Sequence, residues 1–160
     1  MNTMKKIILA ILVIFAVGCK SKEQVVGTKL DRSTEIAIKG NWVLSSVSYE
    51  GSDYIKVTSF AIADSKCFEG SGWSFVANNN KGKMALNNAN CSSYASDITW
   101  YINKEGKFVM KFLTEGVKAK HNTSGYILGV NVQSKEQFQL VDKINVGNKM
   151  VDVVYQFNKI

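Results

Sequence analysis

From residue 41 to the end, apolar and polar positions alternate with a period of two, the pattern of strands that bury one face. Stretch 41–51 (NWVLSSVSYEG) reads as a strand stopped by a glycine. Stretch 72–88 (GWSFVANNNKGKMALNN) reads as strand, Asn/Gly-rich turn, strand. Stretch 97–113 repeats this around a turn at 103–106, and 124–144 repeats it around 132–136. Stretch 147–160 (GNKMVDVVYQFNKI) supplies a last strand. The chain has no proline and no long helical pattern. The reading is therefore eight strands in series, joined by short connections.

One face of these strands collects Trp42, Trp73 and Phe75, Trp100, Phe108 and Tyr155 among other large apolar residues. The opposite face collects Ser, Thr, Lys, Gln and Asn, with Asp152, Gln156 and Asn158 as examples. A serial antiparallel sheet with one apolar face closes on itself, which also removes its unpaired edges. The expected fold is all-β: an eight-stranded antiparallel up-and-down barrel over residues 40–160. A two-sheet sandwich would satisfy the same alternation. An eight-stranded barrel has an interior that side chains just fill, or that holds one small ligand. Residues 52–66 fit helix and extended chain equally well and are placed over one end of the barrel. Residues 20–39 are polar with scattered aliphatics. They read as a flexible tether of roughly 25 Å r.m.s. span, with a short strand or helix at 36–38 as the alternative.

The N-terminus follows another pattern. Lys5 and Lys6 precede an unbroken apolar run, residues 7–17, which ends at Gly18-Cys19. Such a run rises about 16 Å as a helix, half of a ~30 Å bilayer core, and is too short to span. Charge, short apolar core and small residues are the parts of a secretory signal. The end, AVGC, resembles the lipobox of bacterial lipoproteins. That resemblance implies cleavage after Gly18 and acylation of Cys19, with residues 1–18 as signal peptide and 19–39 as lipidated cysteine and tether. Several acyl chains would anchor the protein without a transmembrane helix. Lipoproteins kept at the inner membrane tend to carry Asp after the cysteine; Lys20 stands there, which implies the outer membrane and leaves the leaflet open, with the periplasmic face as the expected one.

The net charge of +7 includes Lys5 and Lys6; without them 18 basic residues stand against 13 acidic ones, about +5. Arg32 is the only arginine. Base reading and phosphate clamping favour the guanidinium fork, so the charge reads as a lysine-rich surface near anionic lipid and nucleic acid is not an expected partner.

Two motifs carry a second resemblance. Gly40-Asn41-Trp42 resembles the GxW signature of lipocalins, whose tryptophan packs across the base of an eight-stranded barrel. The stretch CFEGSGWSFVANNNKGKMAL (67–86) is similar to a pattern of bacterial lipocalin-like lipoproteins. The resemblance covers about residues 40–160, but the lipocalin base arginine has no counterpart, since Arg32 lies upstream of the domain. It implies a lipocalin-like barrel and, with an oxidising periplasm, a Cys67–Cys91 disulfide.

Catalytic signals are sparse. His121 is the only histidine, in a polar loop at 114–125, and reads as exposed. The cysteines lack paired zinc spacing, and no G-x-S-x-G elbow or phosphate loop is present. The acids Glu69, Asp97, Glu105, Glu115 and Asp142 read as solvated, mostly at turns. No enzyme activity, metal or cofactor is expected. The expected function is binding of a small hydrophobic or amphipathic molecule in the barrel, because apolar pockets with few polar groups are the usual ligand sites. The candidate lining residues are Trp42, Phe75, Trp100, Phe108, Tyr126 and Tyr155. The alternative is a filled barrel that binds an envelope protein or anionic glycan through lysine-rich loops.

Overall fold

The structure, a computed structural model, describes residues 26–52, 54–113 and 125–160, with side chains from residue 32 onward. In chain order it comprises α1 (Val26–Ile38), β1 (Gly40–Ser48), β2 (Thr58–Ser59), β3 (Ala63–Asp64), a 3-10 turn (Ser65–Phe68), β4 (Gly72–Val76), β5 (Lys81–Ala85), β6 (Ala95–Ile102), β7 (Phe108–Phe112), β8 (Tyr126–Val132), β9 (Gln137–Val146) and β10 (Lys149–Lys159). Eight of the strands form a closed barrel in the order β1-β10-β9-β8-β7-β6-β5-β4, and every neighbouring pair is antiparallel. This is the up-and-down barrel that the alternation predicts, not the sandwich. β2 and β3 pair only with each other.

The turns fall where the polar breaks lie. Asn103 folds the β6–β7 turn by accepting the N–H groups of Glu105 and Lys107 on its side-chain oxygen, at 3.0 and 2.9 Å. Such Asx bonding is why asparagine favours turns. Gly147 turns β9 into β10 at φ +65.

Residues 26–38 differ from the expected tether: they form α1. A polar segment becomes helical here because its end finds partners on the barrel, the main source of helix stability in proteins. Ile38 is fully buried. The Glu35 carboxylate accepts the Ile102 N–H at the end of β6, at 3.1 Å. Trp42 Nε1 donates to the Ile38 carbonyl at 2.6 Å, which satisfies one of the acceptors a helix end leaves open. Helix α1 therefore covers one end of the barrel, its base.

The seam between β1 and β4 is closed in two ways. Their ladder runs from the Gly40–Phe75 pair to the Val43–Gly72 pair. Beyond it, the Leu44 backbone donates to the Ser71 carbonyl and accepts from the Gly70 N–H, and then the side chains of Lys66, in the 3-10 turn, and Glu69, just after it, take over. Glu69 Oε1 accepts the Val47 N–H at 2.9 Å, and Lys66 Nζ donates to the Val47 carbonyl. Burial alone would push the Glu69 carboxyl up, but these bonds and the Lys66 charge outweigh it and hold its pKa below the ordinary value. Glu69 is thus structural rather than merely solvated. Other residues of the 67–73 motif have similar roles. Cys67 is bonded to Cys91, the bridge implied by the family resemblance. Phe68 is fully buried. Ser71 Oγ donates to the Phe68 carbonyl at 2.6 Å and accepts from Trp73 Nε1 at 2.8 Å.

Gly82 shows how tightly the wall is made. A methyl group there would stand 2.3 Å from the Ser74 carbonyl oxygen and 2.9 Å from the Ile98 side chain. The backbone oxygen cannot move without parting β4 from β5. Gly82→Ala is expected to cost about 1–3 kcal/mol. Gly72→Ala, whose methyl would meet nothing closer than 3.6 Å, is expected to change stability by less than about 0.5 kcal/mol. Urea midpoints of the two variants check this, and equal midpoints would refute the reading of Gly82.

Candidate functional site

The barrel interior has two storeys. At the base, Trp42 meets Phe138 edge-on with centroids 4.7 Å apart, and Phe138 stacks on Phe157 at 4.5 Å. Phe75 touches Trp100 at 5.3 Å and Phe108 at 5.8 Å, and Trp100 stacks on Phe108 at 5.6 Å. These are contact distances for aromatic pairs. The structure thus joins four of the sequence candidates, Trp42, Phe75, Trp100 and Phe108, into a packed aromatic base. Phe138 links Trp42 to the other three through Phe75, 6.1 Å away, and all four are buried.

The other two candidates, Tyr126 and Tyr155, stand at the opposite end, the mouth. Here the connection from β1 to β4 folds over the barrel, as placed by the sequence. Its tip is the β2–β3 turn, where Ile62 N–H donates to the Ser59 carbonyl at 3.0 Å. The two central residues, Phe60 and Ala61, have φ values of +55 and +53. Positive φ at both positions is the pattern of a type I′ turn, which normally takes Asn-Gly. A phenylalanine there is strained, by about 1–2 kcal/mol. Surrounding contacts hold it. The Phe60 ring points into the mouth and meets Phe68, Phe112, Tyr126 and Tyr155 at centroid distances of 5.1 to 5.5 Å.

Polar groups tie this plug down. Tyr126 Oη donates to the Phe60 carbonyl at 2.5 Å. Tyr155 Oη and Ser59 Oγ share a hydrogen bond of 2.6 Å. Ser65 in the same connection is fully buried, and its hydroxyl is the one buried side-chain oxygen or nitrogen without a partner among the described residues. An aromatic base thus gives way to a mouth ringed with hydroxyl groups.

Asp142 belongs to this mouth and not to a turn, which corrects the sequence reading. It lies within β9, in step with the buried residues Phe138 and Leu140, and its register partner on β10 is the fully buried Val153. Its side chain therefore faces inward. Desolvation raises its pKa, opposed in part by the Lys143 backbone N–H. Its charge is felt by both mouth phenols. Burial is the main cause that raises the Tyr126 and Tyr155 pKa values, and Asp142 adds to each. The signal was in the sequence: a period-two count through Phe138 and Leu140 lands on Asp142. Phe60 gave no such signal, because nothing in residues 52–66 marks a turn at Phe-Ala.

Cys19 and His121 lie outside the described residues. Among those described, no group of three His, Cys, Asp or Glu residues is placed to hold a metal.

A closed antiparallel eight-stranded barrel with one packed end and one covered mouth defines a lipocalin-type architecture. The family model of the lipocalin-like domain matches residues 38–139, and the chain belongs to that family. The match takes in the base tryptophan and the mouth plug and stops within β9. No curated protein and no solved structure matches the chain.

Proposed function

We propose that this chain is a lipid-anchored protein of the bacterial envelope whose barrel holds a small amphipathic molecule at its mouth, in the space Phe60 fills here. The observation that carries the binding reading is the plug itself. Phe60 is an apolar side chain on a strained turn, seated among rings that a ligand's apolar part would equally satisfy. The packed base, whose rings fill the lower interior, supports the mouth rather than the depth of the barrel as the site. Family membership supports the same reading. The reading is non-catalytic. The anchor rests on the apolar run 7–17 and on Gly18-Cys19, with Lys20 favouring the outer membrane.

A plug that competes with ligand lowers apparent affinity by the fraction of molecules it closes. Phe60→Ala is therefore expected to bind the neutral probe N-phenyl-1-naphthylamine about five-fold or more tighter than the parent chain. Probe fluorescence measures this, with circular dichroism as the check on folding. If neither folded protein takes up the probe, the mouth is not a ligand site. The search then turns to the filled barrel, with an envelope protein or anionic glycan as partner of the lysine-rich loops.

A further inference from the structure

The inner face of β9 carries one residue that a barrel built only for packing does not need. Asp142 follows two buried apolar residues in the inward series and faces Val153. A carboxylate in such a wall is costly unless something answers its charge. Among the described residues no lysine or arginine does so. The ion pairs there are Lys66–Glu69, Lys83–Asp97, Lys143–Asp152 and Lys149–Glu50. Its neighbour Lys143 turns outward and bonds Asp152 at 2.7 Å.

The β8–β9 ladder also ends beside this carboxylate, at the Gly129–Val141 pair. Both strands run on past that pair, β8 back to Tyr126 and β9 forward to Val146. Asp142 is the first residue of β9 beyond the ladder. It is half-buried and lies toward the mouth end of β9, beyond Phe138 and Leu140. Its partner Val153 is two residues from Tyr155 on the same inner face of β10, and Tyr126 and Tyr155, which both feel its charge, are the two that hold the plug through Phe60 and Ser59. The acid and the plug's fastenings therefore occupy one small region. A group that binds the acid competes with, or rearranges, those fastenings.

We infer that Asp142, Tyr126 and Tyr155 form a headgroup subsite that takes the ammonium end of an amphiphilic amine, whose alkyl part replaces the Phe60 ring in the mouth. This rests on the mouth reading proposed above and narrows it to one ligand class. An ammonium group donates three hydrogen bonds, which one carboxylate and two phenol oxygens can accept. A fatty carboxylate would meet the like charge of Asp142 in a partly desolvated place, and a neutral alcohol would gain no charge pairing.

The test compares three ligands of equal chain length, decylammonium, decanoate and decan-1-ol, on the full chain carrying Cys19→Ser. Calorimetric titration at pH 7 measures their affinities for the parent and for Asp142→Asn. Decylammonium is expected to bind about ten-fold or more tighter than decanoate, as charge-assisted hydrogen bonding requires. Asp142→Asn should shrink that ratio to about two-fold or less, as expected when the charge-assisted part is lost, and leave decanol unchanged. Equal affinities, or a preference for decanoate, would overturn the subsite while leaving the mouth as a binding site. If none of the three binds, even to Phe60→Ala, the mouth reading falls and the subsite with it.

The variant's stability gives a second readout. The folded pKa of Asp142 is raised, so its ionised form destabilises the fold. That penalty begins as pH rises above the ordinary aspartate value and is complete above the raised one. Removing the charge should therefore not lower the melting temperature at pH 7. A clear fall would mean that a cation of the chain already answers Asp142, and would overturn the proposal.

Discussion

Trp42→Ala is expected to remove about 3–5 kcal/mol of stability, about a fifth or more of what a domain holds. Three contributions meet at this side chain. Its ring is fully buried and packs edge-on against Phe138. Its Nε1–H holds the last carbonyl of α1. Lys159 Nζ lies 5.6 Å from the ring centre, a cation–π contact at the end of β10. Alanine would open a void beneath α1 and release the helix end together. Trp42→Phe separates the terms, since it keeps most of the packing and loses the hydrogen bond. It is expected to cost about 1 kcal/mol. Urea unfolding followed by Trp73 and Trp100 fluorescence measures both. A loss below about 1 kcal/mol for Trp42→Ala would show that the base does not hold the barrel together.

Loss of the Cys67–Cys91 bond should cost nearly as much. The bond closes a loop with a sequence separation of 24, which restricts the unfolded chain by about 3 kcal/mol on the loop-entropy account. Its position raises the stakes locally. Cys67 lies in the 3-10 turn between Lys66 and Glu69, whose side chains hold Val47, and Phe68 beside it supports the plug ring. The double variant Cys67→Ser/Cys91→Ser is expected to melt about 10 °C lower and to keep the strand spectrum of the barrel, because no ladder pair depends on the bridge. Two thiols reactive in the native protein, or a melting point unchanged by reductant, would show that the bond is not made in solution.

The barrel was readable because its signal is repeated. Each strand carries the same period-two alternation, and the turns carry Asn and Gly where they bend. The base was readable for a similar reason: Trp42, Phe75, Trp100 and Phe108 are large, in phase, and had nowhere to go but inward. What they do there was not readable. Alternation says that a ring faces the interior, but not whether it meets another ring or a ligand. The misread segments depend on contacts far away in sequence. Helix α1 exists through Ile102 and Trp42, and the left-handed pair Phe60-Ala61 through rings on β7, β8 and β10. Asp142 was in phase with its buried neighbours, but its charge suggested a surface. Glu69 was misread likewise, since the backbone it holds lies on another strand.

The pairing of β1 with β10 bears on when the molecule can fold. Trp42 is made roughly a hundred residues before Phe138 and Phe157, the rings that complete the base. At 5–20 residues per second, the first strand waits about 5 to 25 s for the strand that closes on it. Contacts of such separation also form slowly once available. The hairpins can form early, but closure must await β10. A barrel whose first strand pairs with its tenth cannot reach the native state before β10 is made, so the hairpins formed earlier wait with their apolar face unclosed.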